Sequence, residues 1–210
     1  MLKVVLIILV TLAVLLSIYL IFYKQIKIVT YGLFKSKVIK NRLKQIAKDH
    51  DFLYISQSKL HVNSKKDTDF DNILVTPRFV YAIKNVYWYG ILMAKEVDEK
   101  WFINDEKGRK RVDNPLNLNH FRMKLLSGTC DIPLDRIKNV VLYGDSLKIY
   151  QMELNPNKQS IFVSYKDFEK TLLEIEKDEP DFFNDEEQEK IIQAIYSKNK
   201  ESLSYRKDNR

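Results

Sequence analysis

The side chains able to do metal, redox or acid–base chemistry are few and unevenly placed. Cys130 is the only cysteine, so no intramolecular disulfide can form, and a lone thiol with no Cys/His cluster around it suits a reducing compartment. His50, His61 and His120 are scattered, which leaves almost no material for a Cys/His zinc site. Carboxylates and amines are more suggestive. Asp69 and Asp71 stand two residues apart in one β-rich run, and Lys84 stands two residues after Ala82 in the next. Strand alternation puts each of these pairs on one face. The run Lys107-Gly108-Arg109-Lys110-Arg111 is expected to be the tip of a turn, where Lys107, Arg109, Lys110 and Arg111 could touch phosphates or simply be solvated. The aromatic run Tyr87-Trp88-Tyr89 is expected on a half-buried strand, since such residues favour pleated, partly covered positions.

The elements that must position these groups follow from periodicity. Phe70–Val75 and Phe79–Ile83 are rich in β-branched and aromatic residues and flank Thr76-Pro77-Arg78, which predicts a hairpin because proline presets the turn. Phe52–Ile55 is a short strand, residues 63–69 a polar loop, and Tyr87–Met93 and Trp101–Ile103 extend the sheet. Asn114-Pro115 opens a helix with Leu116, Phe121, Leu125 and Leu126 inward and Gly128 near its end. Ile137–Tyr143, Leu147–Met152 and Ile161–Val163 are further strands. Ser164 with Asp167 starts a helix, and Asn184 with Glu187 resembles a capping box before a helix that buries Ile191, Ile192 and Ile195. The expected fold is α+β, one central mixed β-sheet flanked by helices.

Ahead of this body, Val4–Tyr23 is a run of 20 residues without a charge, which as a helix spans about 30 Å, the hydrocarbon thickness of a bilayer. Its end lacks a small-x-small cleavage site, so it is expected to be an uncleaved anchor. Lys3 alone precedes it, while Lys24, Lys27, Lys35, Lys37, Lys40, Arg42, Lys44 and Lys48 follow with no acid among them. By the positive-inside rule the protein is expected to be single-pass, with its N-terminus outside and its body in the cytoplasm. A helix from Val38 carries Val38, Ile39, Leu43, Ile46 and Ala47 as an apolar stripe. The whole chain of 210 residues is +7, yet residues 49–197 hold 21 basic and 26 acidic residues, a net −5. The basic surplus is local, and a broad phosphate-binding surface is excluded.

The stretch from Asp69 to Asn85 resembles the core of the NERD (nuclease-related) domain. That family places an Ile-Asp pair on one strand and Glu-x-Lys-Asn on the next, the arrangement of the PD-(D/E)xK nuclease superfamily. The resemblance continues through Trp101 and Asn114-Pro115 and covers roughly residues 37–197. It implies a restriction-endonuclease-like fold, with an anchor over 1–24, a basic juxtamembrane segment over 25–36, the domain over 37–197 and a basic, disordered tail over 198–210. It also implies catalysis in which Asp71 binds Mg²⁺ and Lys84 assists at the scissile phosphate, because a hard cation wants oxygen ligands and activates water.

Three positions depart from the family pattern. Ala82 stands where the glutamate belongs, no acid stands among Lys35, Ser36 and Lys37, and Leu118 replaces the glutamine after Asn-Pro. Asp69 is the candidate second metal ligand beside Asp71, about 7 Å along the strand, with Glu96 or Glu99 as other compensating acids. The expected function is a membrane-anchored nuclease-related protein with weak or lost activity that binds DNA or a protein partner. The alternatives are an active metal-dependent DNA nuclease, and an envelope-associated structural protein using Tyr87-Trp88-Tyr89 as a partner surface.

Overall fold

The computed structural model describes residues 2–63, 66–155, 159–178 and 183–198. The chain divides into two compact units, residues 1–38 and 39–210. Helix α1 (Leu2–Asp49) contributes to both.

In the first unit, side chains are described only for residues 8–19 and 36–38. Ile8, Leu9, Val10, Leu12, Val14, Leu15, Leu16, Ile18 and Tyr19 are all exposed. Among the described residues no helix is long and apolar enough to cross a membrane. The rest of the span expected over Val4–Tyr23 falls on side chains outside that description.

The second unit is α+β, built on two sheets where one was expected. Sheet A has the order β1-β2-β3-β7-β9 and sheet B the order β6-β5-β4-β8. Its strands are β1 (Leu53–Asn63), β2 (Lys66–Val75), β3 (Val80–Val86), β4 (Gly90–Lys95), β5 (Lys100–Asp105), β6 (Gly108–Asp113), β7 (Ile137–Tyr143), β8 (Leu147–Glu153) and β9 (Ser160–Ser164). Its remaining helices are α2 (Pro115–Cys130), α3 (Phe168–Asp178) and α4 (Asp185–Lys198). Antiparallel pairs join β1, β2 and β3, whereas β3·β7, β7·β9 and β4·β8 are parallel. The split into two sheets happens at residues 87–89, expected to be strand, where the chain leaves β3. Gly90 then restarts it with φ +122°, a conformation that favours glycine, and a side chain there would collide with the Asn104 carbonyl on β5.

Two further expectations change for local reasons. Most of residues 63–69, expected as a loop, is strand, because β1 and β2 form a long hairpin whose register shifts between His61 and Asn63. The basic run is not a turn tip: only Glu106 and Lys107 turn, and Arg109, Lys110 and Arg111 lie along β6, paired with Asn104, Ile103 and Phe102. The tail expected to be disordered lies outside the described residues except for Lys198, which ends α4.

Three apolar clusters hold the unit together. On one face of sheet A, Ile39, Leu43 and Ile46 of α1 pack with Tyr81, Ile83, Val140, Leu142 and with Phe168 and Leu172 of α3. On the other face, Ile73, Val80 and Ala82 pack with Met123 and Leu126 of α2 and with Ile191 and Ile195 of α4. The third cluster joins sheet B to sheet A through Trp101, which meets Phe162 edge-on at 5.4 Å. Helix α2 buries Leu116, Asn119, Met123, Leu126 and Cys130, while Phe121, expected inward, is exposed. Spacing alone cannot phase a helix on which polar Asn119 faces the core. The capping box at α4 forms as expected: the Asn184 N–H donates to Glu187 Oε2 at 3.0 Å and the Glu187 N–H to Asn184 Oδ1 at 2.9 Å.

Candidate functional site

The site lies where the β2–β3 hairpin meets α2. Thr76 folds the turn: its N–H donates to the Phe79 carbonyl, and its hydroxyl oxygen accepts from the Phe79 N–H at 3.0 Å. The register that results pairs Ile73 with Ala82 and Asn72 with Ile83. One step further, Asp71 and Lys84 face one another. Lys84 Nζ donates to Asp71 Oδ1 at 3.2 Å and approaches Oδ2 at 3.0 Å, and the Asn85 N–H donates to Oδ2 at 2.9 Å. Both side chains are about a quarter exposed, so the pair is partly desolvated and stronger than a surface contact.

Helix α2 is aimed at this face by Asn114-Pro115. Asn114 caps the helix by accepting from the Leu116 N–H at 2.9 Å, and its amide donates to the carbonyls of Glu96 and Asp98 at 2.8 and 2.7 Å. Proline follows at the first helical position, where no N–H is needed. One turn on, Asn119 reaches the sheet. Its amide donates to the Ala82 carbonyl at 2.7 Å and to Asn139 Oδ1 at 2.9 Å, and Asn139 donates in turn to the Leu116 carbonyl at 2.9 Å. Both asparagines are essentially fully buried. Ala82 and Asn139 are register partners on β3 and β7, so this amide pair occupies the ground beside the missing glutamate. Sequence reasoning missed both residues; the only signal was an asparagine at an apolar helical spacing.

Alongside runs a cleft of about 840 Å³, lined by Lys84 to Trp88, Glu99, Lys100, Arg111 to Pro115 and Leu118. The structure thus brings together Lys84, Glu99, Arg111, Leu118, Tyr87 and Trp88. Asp69 is exposed and Glu96 is turned elsewhere, accepting from the Asn155 N–H at 2.6 Å. Lys110 is paired with Asp105 at 2.7 Å, which holds that carboxyl below its ordinary range. Lys107 sits in the β5–β6 turn.

A divalent cation fits this arrangement poorly. Mg²⁺ requires several oxygen ligands near octahedral geometry, but Ala82 is buried among apolar side chains and both oxygens of Asp71 are already engaged. Among the described residues no three His, Cys, Asp or Glu side chains are grouped to hold a metal ion.

The family model for NERD, the nuclease-related domain, matches residues 32–144. The chain belongs to the NERD family. That match runs from α1 to the end of β7 and stops short of the C-terminal part of the resemblance drawn from the sequence; placement in the PD-(D/E)xK superfamily is consistent with it. No curated protein and no solved structure matches the chain. The residues that the resemblance aligned with the family pattern, Asp71, Lys84 and Asn85, lie within the matched range, as do the departing positions Ala82 and Leu118.

Proposed function

We propose that this NERD protein is a membrane-anchored, nuclease-related module that binds nucleic acid without cutting it. The observation carrying this reading is the fully buried Ala82 beside a carboxylate already engaged in an ion pair: Asp71 accepts from Lys84 and from the Asn85 N–H. A phosphodiesterase of the family's kind needs two carboxylates free to hold a cation. Here one is absent and the other is spent on an ion pair, so the fold serves as a binding scaffold.

Anchoring is supported by the 20 uncharged residues of Val4–Tyr23, which lie within α1, and by apolar side chains exposed in succession from Ile8 to Tyr19. A helix apolar all round belongs in a membrane or a large core. The basic residues after it support a cytoplasmic domain by the positive-inside rule.

The test is the full chain in lipid nanodiscs with circular and linear DNA, in Mg²⁺ or Mn²⁺, beside Asp71→Ala and Lys84→Ala. The expected result is DNA retention that weakens with salt and no cleavage by any of the three proteins. Cleavage by the unaltered chain that both substitutions abolish would overturn the reading, and would make Asp69 or Glu99 a working second ligand to the metal. Resistance to extraction from membranes at alkaline pH tests the anchor.

A further inference from the structure

Strand β6 is an edge of sheet B, and its exposed Arg109 and Arg111 share the face turned away from the buried Trp101 and Ile103. Both guanidinium groups lie over the ring of Phe102, at 3.8 and 5.7 Å from its centroid. Cation–π contact of this kind holds a guanidinium near the ring and leaves N–H groups for an acceptor. No carboxylate pairs with either arginine among the described residues, although Lys110 between them is paired with Asp105. Two positions along a strand separate anion sites by about 7 Å, a spacing similar to that of successive phosphates in an extended strand.

Arg111 also lines the cleft, together with Tyr87 and Trp88. There Lys84 is paired with Asp71 and Lys100 with Asp113, and Glu99 adds a carboxylate. Such an interior suits a flat, uncharged heterocycle rather than a phosphate. Asn85, nine-tenths buried, lines it too, and its Oδ1 has no donor among the described residues.

Resting on the nucleic-acid reading above, we infer that the ligand is single-stranded: Arg109 and Arg111 take successive phosphates along β6, and an unpaired base enters the cleft to stack on Trp88 or Tyr87. A duplex covers both faces of every base and must pay to extrude one. It also needs a broad cationic surface, which the net −5 of residues 49–197 does not supply.

The experiment uses the full chain in phosphatidylcholine nanodiscs and a labelled oligonucleotide, single-stranded or annealed, across a salt series. The single strand should bind about tenfold tighter than the duplex and quench tryptophan fluorescence, with the quench lost in Trp88→Phe. Arg109→Gln with Arg111→Gln should weaken single-strand binding about tenfold and reduce the salt slope by about 1.4, two phosphates' worth, while melting like the unaltered chain. Equal or tighter duplex binding would overturn this inference and leave the nucleic-acid reading standing. Single-strand binding with an unchanged slope in the double variant would overturn the assignment to β6. Arginine-dependent binding to phosphatidylserine vesicles with none to either oligonucleotide would overturn both readings.

Discussion

Lys84 reaches both oxygens of Asp71, at 3.2 and 3.0 Å, one step beyond the end pair of the β2–β3 ladder, Asn72 with Ile83. The two family residues that survive therefore satisfy each other. Removing either should cost about 1–2 kcal/mol, and a double-mutant cycle of Asp71→Asn with Lys84→Met should return a coupling of about 1 kcal/mol, between the values for surface and buried pairs. Denaturant unfolding monitored on the described domain checks it; additive single effects would refute the coupling.

Restoring the family's glutamate should harm the fold. Ala82 packs with Ile73, Met123 and Leu126 and is fully buried, so Ala82→Glu forces a longer side chain and a carboxylate into apolar surroundings. A loss of at least about 3 kcal/mol is expected in urea titration. Stability equal to that of the unaltered chain would mean that the site retains room for the ligand.

The buried amides carry a separate load. Asn119→Leu leaves Asn139 Oδ1 and the Ala82 carbonyl without their donor, and should lower stability by about 2 kcal/mol, whereas a surface asparagine would cost little. Hydrogen exchange of β3 and β7 should accelerate in the same variant.

Cys130 reports unfolding. The thiol is buried at the end of α2, and burial pushes it up to about 11. In the native protein at neutral pH it should be almost inert to alkylating reagents, and in denaturant it should react at the rate of a free thiol. Fast labelling of the native state would contradict the packing of α2 against α4.

Glu176 predicts a dependence on pH. Burial raises its carboxyl above the ordinary range, although it accepts from Tyr81 Oη at 2.6 Å and from Thr76 Oγ1 at 2.8 Å. The folded state then holds the proton more readily than the unfolded chain does, so stability from this group is lost as pH rises from the ordinary carboxylate range through the raised one. Glu176→Gln should melt higher than the unaltered chain at neutral pH, with the gap closing in acid. A gap that widens in acid would reverse the assigned sign.

The hairpin, the helix at Asn114-Pro115 and the capping box at Asn184 were legible because each depends on local chemistry: a proline turn, a cap, a reciprocal side-chain pair. Asp71 and Lys84 were legible through the family resemblance, and the hairpin register is what sets them against each other. The second sheet was not, since its departure point is set by a positive φ at Gly90 and a close approach to Asn104, which no periodicity encodes. Nor were Asn119 and Asn139, whose partnership joins residues on different elements, or the alignment of Arg109 and Arg111 over Phe102, which required knowing that the basic run is a strand. The phase of α2 failed at Phe121 because an amphipathic count treats a buried asparagine as outward.

The contact between α1 and α3 bears on how the protein is made. Arg42 meets Glu169 at 2.5 Å across 127 residues of sequence, and Ile39, Leu43 and Ile46 share their cluster with Phe168 and Leu172. During synthesis the helix is made before α3, so its apolar stripe has only sheet A to cover it until α3 has followed. Nascent chains halted before Phe168 would lack the Phe168 and Leu172 part of that cover, and are the species on which chaperone capture or degradation should act.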